Sequence, residues 1–260
     1  MHQEGIDIIR KSNITGNAVV INQCENEKYE EFYTDMGYIR MYSTKERGLT
    51  KSRNMAIEKS DADICMLCDD DEVFVKNYEN KIVQAYEKIH DADVIIFKMK
   101  NRPPSFEDKI IRLKFPKTMK VSSWQISFKK QSLKKKGIKF DELLGAGTGN
   151  GAEEELKFLW DCEKAGLKIY YVPTEIASVA QTESTWFKGF SDEFFYNRGA
   201  TTRYIMGMPL AIMYAFYYCI KKRKIYSLDI SEGTAIRKTL KGIVDNKITK
   251  QAALLRISKS

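Results

Sequence analysis

Apolar positions along the chain follow two periods. Ala18-Val19-Val20-Ile21-Asn22 and Val94-Ile95-Ile96-Phe97 are continuous apolar runs of strand length, and they predict strands buried on both faces. Residues 63–68 give a third such run. In residues 38–43, Tyr38, Arg40 and Tyr42 alternate with Ile39 and Met41, the period-two signature of a further strand. Helical patterns lie between. Residues 5–13 predict a short helix. A second helix opens at Thr50 or Lys51 and runs to Ser60, a third covers 78–90, and a short basic one from Gln131 to Lys136 is stopped by Gly137. A helix beginning at Glu153-Glu154-Glu155 ends before Gly166, and a strand over 168–172 with Pro173 closes that unit. Pro103-Pro104 and Pro116 mark 101–118 as an excursion of loop and edge strand. Strands alternating with helices at this spacing predict an α/β domain: a mostly parallel, Rossmann-like sheet flanked by helices.

After residue 186 the pattern changes. Residues 187–204 predict an aromatic-rich helix. Ile205 to Ile220 carry no charge, contain Pro209, and lead into Lys221-Lys222-Arg223-Lys224. The stretch is shorter than the ~20 residues that cross a bilayer. Tyr214, Phe216, Tyr217 and Tyr218 suit an interface, so a helix lying on the membrane with a basic edge is one reading. The other is a helix packed on the folded domain or on a second copy. The expected division is a domain over 1–186 and a C-terminal helical appendage over 187–260.

Composition sharpens the second region more than the first. The chain has 260 residues, 43% hydrophobic and 30% charged, which excludes a disordered chain. The net charge of +8 is local. Eleven Lys/Arg and only three acids fall in 221–260, so the first 220 residues are neutral in sum. A polyanionic partner would therefore meet the tail, and an anionic membrane surface suits it. Nucleic acid is not expected, for no reader motif or aromatic-interleaved basic stripe is present. Five cysteines, an odd count, and no secretory signal fit a reducing compartment. Cys65 and Cys68 form a CxxC, but residues three apart on a strand face opposite ways, and these read as inert thiols.

The run Ile64-Cys65-Met66-Leu67-Cys68-Asp69-Asp70-Asp71 carries the chemistry. A buried strand ending in three acids is unfavourable without a counter-cation. A divalent metal bridging the phosphates of a bound nucleotide answers that need. Three segments belong with each other here: Arg47-Gly48-Leu49-Thr50-Lys51-Ser52-Arg53-Asn54-Met55-Ala56, then Asp69-Asp70-Asp71, then Phe140-Asp141-Glu142-Leu143-Leu144-Gly145 leading to Glu153-Glu154-Glu155 and to Gly166-Leu167-Lys168-Ile169-Tyr170-Tyr171-Val172-Pro173. In this order the chain, over roughly residues 15–185, resembles the family 2 glycosyltransferases of the GT-A fold.

The resemblance implies an inverting transfer from a nucleotide-diphosphate sugar, a UDP-sugar being the expected donor, to a glycan or lipid-linked acceptor in cell-surface polysaccharide synthesis. It implies Mg²⁺ or Mn²⁺ held by Asp71 with Asp69 at the ribose or the metal. Asp70 should point away. Glu155 is the implied general base and Glu154 its reserve. Arg53 and Asn54 match the family's Arg-Asn and would support the nucleotide pocket. Asn22 falls where the family contacts base or ribose, and Trp124 where it lines the acceptor side, although a core Trp is an equal reading. The implied location is cytoplasmic, peripheral at the inner face of the plasma membrane.

Two departures from the family stand out. The usual first nucleotide-binding strand would precede Ala18 and is not recognisable, so either the chain is N-terminally short or another segment substitutes. The family's late histidine ligand is also absent, and Gln181 or Glu183 would stand in for it, or water and phosphate would complete the shell. The alternative to an enzyme is a degenerate, non-catalytic GT-A-like binding or scaffold protein.

Overall fold

The computed structural model describes residues 5–150, 152–179, 187 and 189–257; the proposed stand-ins Gln181 and Glu183 lie outside them. The chain divides into two compact units. One comprises residues up to 141 with 154–183, and the other comprises 142–153 with 184 onward.

The first unit opens with helix α1 (Asp7–Lys11) and strand β1 (Ala18–Gln23), followed by β2 (Lys28–Thr34) and β3 (Gly37–Thr44). These strands form a three-stranded sheet ordered β1-β3-β2, with β1 parallel and β2 antiparallel to β3. Helix α2 (Leu49–Lys59) leads to β4 (Ile64–Met66), and the acid cluster turns directly into β5 (Glu72–Phe74). Helix α3 (Tyr78–Lys88), β6 (Val94–Met99), β7 (Ile111–Leu113), two 3₁₀ turns over 117–120 and 123–125, β8 (Ile126–Lys129), α4 (Lys130–Lys136), α5 (Glu154–Lys164) and β9 (Ile169–Val179) complete it. The second sheet runs β4-β8-β6-β9, with β5 and β7 both paired to β9.

The α/β class expected from the pattern holds; the mostly parallel sheet does not. Only β1–β3 and β6–β9 are parallel among the described strands, and the other five pairings are antiparallel. The reason is local. β2 returns on β3 as a hairpin around Gly37, and β8 inserts antiparallel between β4 and β6, so two strands that a simple strand–helix alternation would make neighbours are separated.

The continuous apolar run of β6 is used on both faces. Val94 and Ile96 enter one core with Phe128, Phe140, Phe158 and Leu159, under α5. Ile95, Phe97 and Met99 enter the other with Tyr78, Ile82 and Tyr86 of α3. These five β6 side chains are at most 2% exposed, and the sixth, Lys98, is half-buried. Over Val94–Phe97, alternating side chains covered by a helix on each face leave no polar position, which is why that run reads as unbroken. β9 extends well past the expected 168–172. Pro173 cannot donate a ladder bond, and the register with β6 shifts from Val172 to Glu175 around it, so the strand continues through a bulge. β1 and β4 each end a sheet, and their apolar side chains are only half-buried.

The second unit is helical among its described residues: α6 (Asp192–Met206), α7 (Met208–Lys221), the short α8 (Arg223–Tyr226), α9 (Glu232–Asp245) and α10 (Lys247–Ile257). α6 and α9 approach closely because two glycines face backbone. A Cβ added to Gly199 would lie 2.0 Å from the Thr239 carbonyl oxygen, and one on Gly242 would lie 2.0 Å from that of Tyr196. Arg198 of α6 pairs with Glu153 at 3.2 Å and donates to the Tyr214 hydroxyl of α7 at 2.6 Å. The loop before α5 is held through Asn150, whose amide donates to Leu143 and Gln251 while its carbonyl accepts from Thr201. Pro209 does not interrupt the uncharged stretch. It sits in the first turn of α7, where its missing N–H has no intrahelical partner to lose.

Candidate active site

The candidate site is organised by one buried guanidinium. Arg53 lies one turn into α2 and is 6% exposed. Its Nη2 donates to Asp69 Oδ1 at 2.9 Å and to Oδ2 at 3.3 Å, and its Nη1 donates to Glu154 Oε1 at 3.1 Å. Its carbon lies 5.4 Å from the centroid of the Phe140 ring. Burial lowers the Arg53 pKa, but the charges of Asp69, Glu154 and Glu155 outweigh it and the group ends above its ordinary value. Segments 16 and 101 residues away in sequence are thereby drawn to one cation.

Asn54, the next residue, fixes the Phe140 segment. Its amide donates to the Phe140 carbonyl at 2.9 Å and accepts from the Phe140 N–H at 2.8 Å. A side chain that satisfies both backbone groups of one residue locks the Phe140 segment onto α2. Phe140 then stacks on Phe158 of α5, with centroids 4.4 Å apart and planes 7° apart. Arg53 and Asn54 thus connect the acid cluster, the Phe140 segment and the start of α5.

The four acids of Asp69 to Glu72 occupy four different environments. Asp69 is bridged to Arg53 and also accepts from Ser123 Oγ at 3.0 Å. Asp70 is exposed. Asp71 is half-buried; burial and the Asp69 charge push its carboxyl up, and Arg102 offsets part of this. Glu72 is 1% exposed, with only the Cys68 thiol and the Asp69 backbone beside its carboxylate as donors. Burial first, and then Asp69, raise it well above the ordinary carboxyl range.

The remaining expected residues are placed as follows. Glu154 is 5% exposed and bonded to Arg53, whereas Glu155, one residue on in the first turn of α5, is half-buried. Glu153 lies outside the helix. Trp124 is half-buried against the core under α3, and the Arg102 guanidinium carbon lies 5.8 Å from its ring centroid. Asn22 is 2% exposed and donates to Ser43 Oγ at 3.1 Å. Sequence reasoning passed over Ser123, Arg102 and Glu72. Glu72 was legible as a fourth consecutive acid; Ser123 and Arg102 follow no spacing rule and meet the acids only through the fold.

Among the described residues no three His, Cys, Asp or Glu side chains are placed to hold a metal ion. A cation in a nucleotide site needs fewer. Mg²⁺ takes one or two carboxylates and completes its shell with substrate phosphates and water. Asp71, crowded by the negative charge of Asp69, fits that role.

A family model described as "Glycosyl transferase family 2" matches residues 18–145. Over residues 18–145 the chain is thus similar to glycosyltransferase family 2. Among solved structures, residues 1–349 of S. aureus TarS in complex with UDP are 14% identical, with 92% of this chain and 81% of that chain covered and a TM-score of 0.54. The same segment in complex with UDP-GlcNAc is 16% identical over 89% of this chain and 63% of that one, with a TM-score of 0.52. The structure of S. aureus TarS is covered over 37% of its chain by 88% of this one, at 14% identity and a TM-score of 0.50. At these identities the likeness is one of fold, and this chain spans less than two thirds of most of these structures. No curated protein sequence matches. These structural matches show the fold of the chain.

Proposed function

We propose that this protein is an inverting glycosyltransferase that takes a sugar from a UDP-sugar to a hydroxyl of a glycan or lipid-linked acceptor. The observation that carries the reading is Arg53, which holds Asp69 of the acid cluster and Glu154 of the α5 start on one guanidinium. A donor diphosphate and a general base must lie on opposite sides of one sugar, and this network brings the two required groups of acids to one region. UDP and UDP-GlcNAc, the ligands named for S. aureus TarS, support the choice of nucleotide.

In this reading Glu154 does not act as base. Buried and bonded to a cation, it orients the start of α5. Glu155 accepts the proton of the acceptor hydroxyl as that oxygen attacks the anomeric carbon, and the bond to the diphosphate breaks on the far side. Asp71 and Asp69 would hold Mg²⁺ or Mn²⁺, which when bound supplies positive charge to the leaving diphosphate. Arg53 holds Asp69 in place through two hydrogen bonds, and Asn54 positions the Phe140 segment. Trp124, under Arg102, offers a ring face on which a sugar can stack.

The test is a thermal shift with UDP and Mn²⁺, followed by UDP release from UDP-GlcNAc and other UDP-sugars. Wild type should shift with both ligands present, Asp71→Asn should not, and Glu155→Gln should shift but release UDP about 10²-fold slower or worse. An identical shift in Asp71→Asn removes the donor site from these acids. A second reading, a non-catalytic binding protein of the same fold, is favoured by β1 and β4, which each end a sheet with half-buried apolar side chains. A shift with UDP and no UDP release with any acceptor extract would select it.

A further inference from the structure

We propose that the face formed by α7 and α8 is a membrane-docking surface that takes the headgroup and upper acyl region of a bilayer containing anionic lipid. The inference concerns the helical unit alone and does not rest on the donor reading.

α7 has two opposite faces that are both apolar. Ala211, Ala215 and Cys219, spaced by four, are fully buried against α6 and α9. On the other side Met213, Phe216, Tyr217 and Ile220 recur at helical spacing and are 67%, 42%, 58% and 54% exposed. Ile225 and Leu228, at 56% and 100%, continue the apolar surface past the end of the helix. A protein facing only water has no reason to present four large apolar side chains in register on one helix.

What covers them is indicated by charge. Lys221, Lys222, Arg223 and Lys224 are all exposed at the C-terminal end of this stripe, and no acid occurs between Met208 and Leu228. The nearby acids are Asp229 and Glu232, and Glu232 approaches Arg223 at 3.4 Å. An apolar, aromatic-bearing stripe ending in four cations matches the depth profile of an anionic leaflet: acyl chains, then an interface suited to Tyr and Phe, then phosphate. A second copy matches poorly, because a two-fold contact through this face brings its two basic clusters to one interface. Crossing is excluded for α7. Its fourteen residues span about 21 Å against a core of about 30 Å, and no described helix is long and apolar enough to cross.

The experiment is co-sedimentation of the full chain with phosphatidylcholine vesicles, with and without phosphatidylglycerol, at low and high salt. Binding should require phosphatidylglycerol and weaken with salt. The paired variants Phe216→Ser/Ile220→Ser and Lys221→Glu/Lys222→Glu should each weaken it by about tenfold or more. These side chains are exposed, so circular dichroism and melting should be unchanged. A Phe216→Trp variant should shift its emission to the blue on vesicles. Failure to bind anionic vesicles overturns the proposal, as does binding that Phe216→Ser/Ile220→Ser leaves intact. So does a wild-type dimer in sedimentation velocity that the serine pair dissociates, since the face would then be an interface between copies.

Discussion

Replacing Arg53 by Met should destabilise the first unit severely, and the size of the loss can be worked from its partners. Met keeps most of the buried stem and removes the cation. Asp69, with a side chain 28% exposed, retains its bond from Ser123 and gains water, so its share is small. Glu154, 7% exposed, is left as a buried carboxylate without its cation. Breaking a buried pair in this way costs about 3–5 kcal/mol, mostly because one charge stays behind. For a unit of this size each kcal/mol moves the melting temperature by about 2–4 °C, so a fall of about 6–20 °C is expected. Loss of the Phe140 contact adds to it.

A double-mutant cycle separates this explanation from simple loss of packing. Glu154→Gln alone removes a charge and leaves Arg53 on Asp69, so it should be the milder single change. In Arg53→Met/Glu154→Gln the stranded charge is gone, and the double variant should be more stable than the sum of the singles predicts by about 1–3 kcal/mol. The measurement is urea unfolding followed by circular dichroism, with EDTA present. Additive losses, or an Arg53→Met cost below about 1 kcal/mol, would mean that the guanidinium does not carry the junction between the acid cluster and α5.

Three further outcomes follow from the same structure. Glu72→Gln should raise stability at neutral and higher pH in EDTA and change nothing in acid. A carboxyl whose folded pKa is raised favours the fold below its ordinary value of 4.5 and loses that contribution as pH rises, so a variant parallel to wild type at every pH contradicts the assignment. Gly199→Ala should weaken the helical unit by about 1–3 kcal/mol, because its Cβ meets backbone of α9, while Gly233→Ala, with open space around it, should be neutral or slightly stabilising; equal effects on urea unfolding would refute the close approach. Asn54→Ala should cost about 1–3 kcal/mol by leaving both Phe140 backbone groups without their partner, and Asn54→Asp should recover only the bond from the Phe140 N–H; a cost below ~0.5 kcal/mol counts against the locking role.

Strong periodicity carried most of the fold into the sequence. The runs at β1, β3 and β6 and the helices α2, α3, α4 and α5 are legible in local residue patterns. The misses share a different cause. β2 is Lys-Tyr-Glu-Glu-Phe-Tyr-Thr, a half-exposed edge strand whose charges hide its alternation. β5 and β8 are three and four residues long and are fixed by pairing with β9 and β6, not by local preference. Because those two went unseen, the antiparallel character of the sheet went unseen with them. At the site, Arg53, Asn54, Asp69 and Glu154 were legible through their ordered segments, whereas the partners Ser123 and Arg102 depend on a loop whose path no local rule sets.

The environments of the four acids bear on where the proposed cation would act; residue type alone could not supply them, and only the resemblance singled out Asp71 and Asp69. Four adjacent carboxyls have equal formal claims in the chain. In the fold, Asp69 is already compensated by Arg53 and Ser123, Asp70 is solvated, and Glu72 is pushed toward its neutral form by burial. Asp71 remains: half-buried, raised by the neighbouring negative charge, and offset only in part by Arg102. In the proposed reading an added divalent cation would therefore gain most at Asp71, whose carboxyl the Asp69 charge already raises. The same logic separates Glu154 from Glu155. Neighbouring residues of one type become a structural anion and a candidate base because the helix turns one toward Arg53 and leaves the other half-buried.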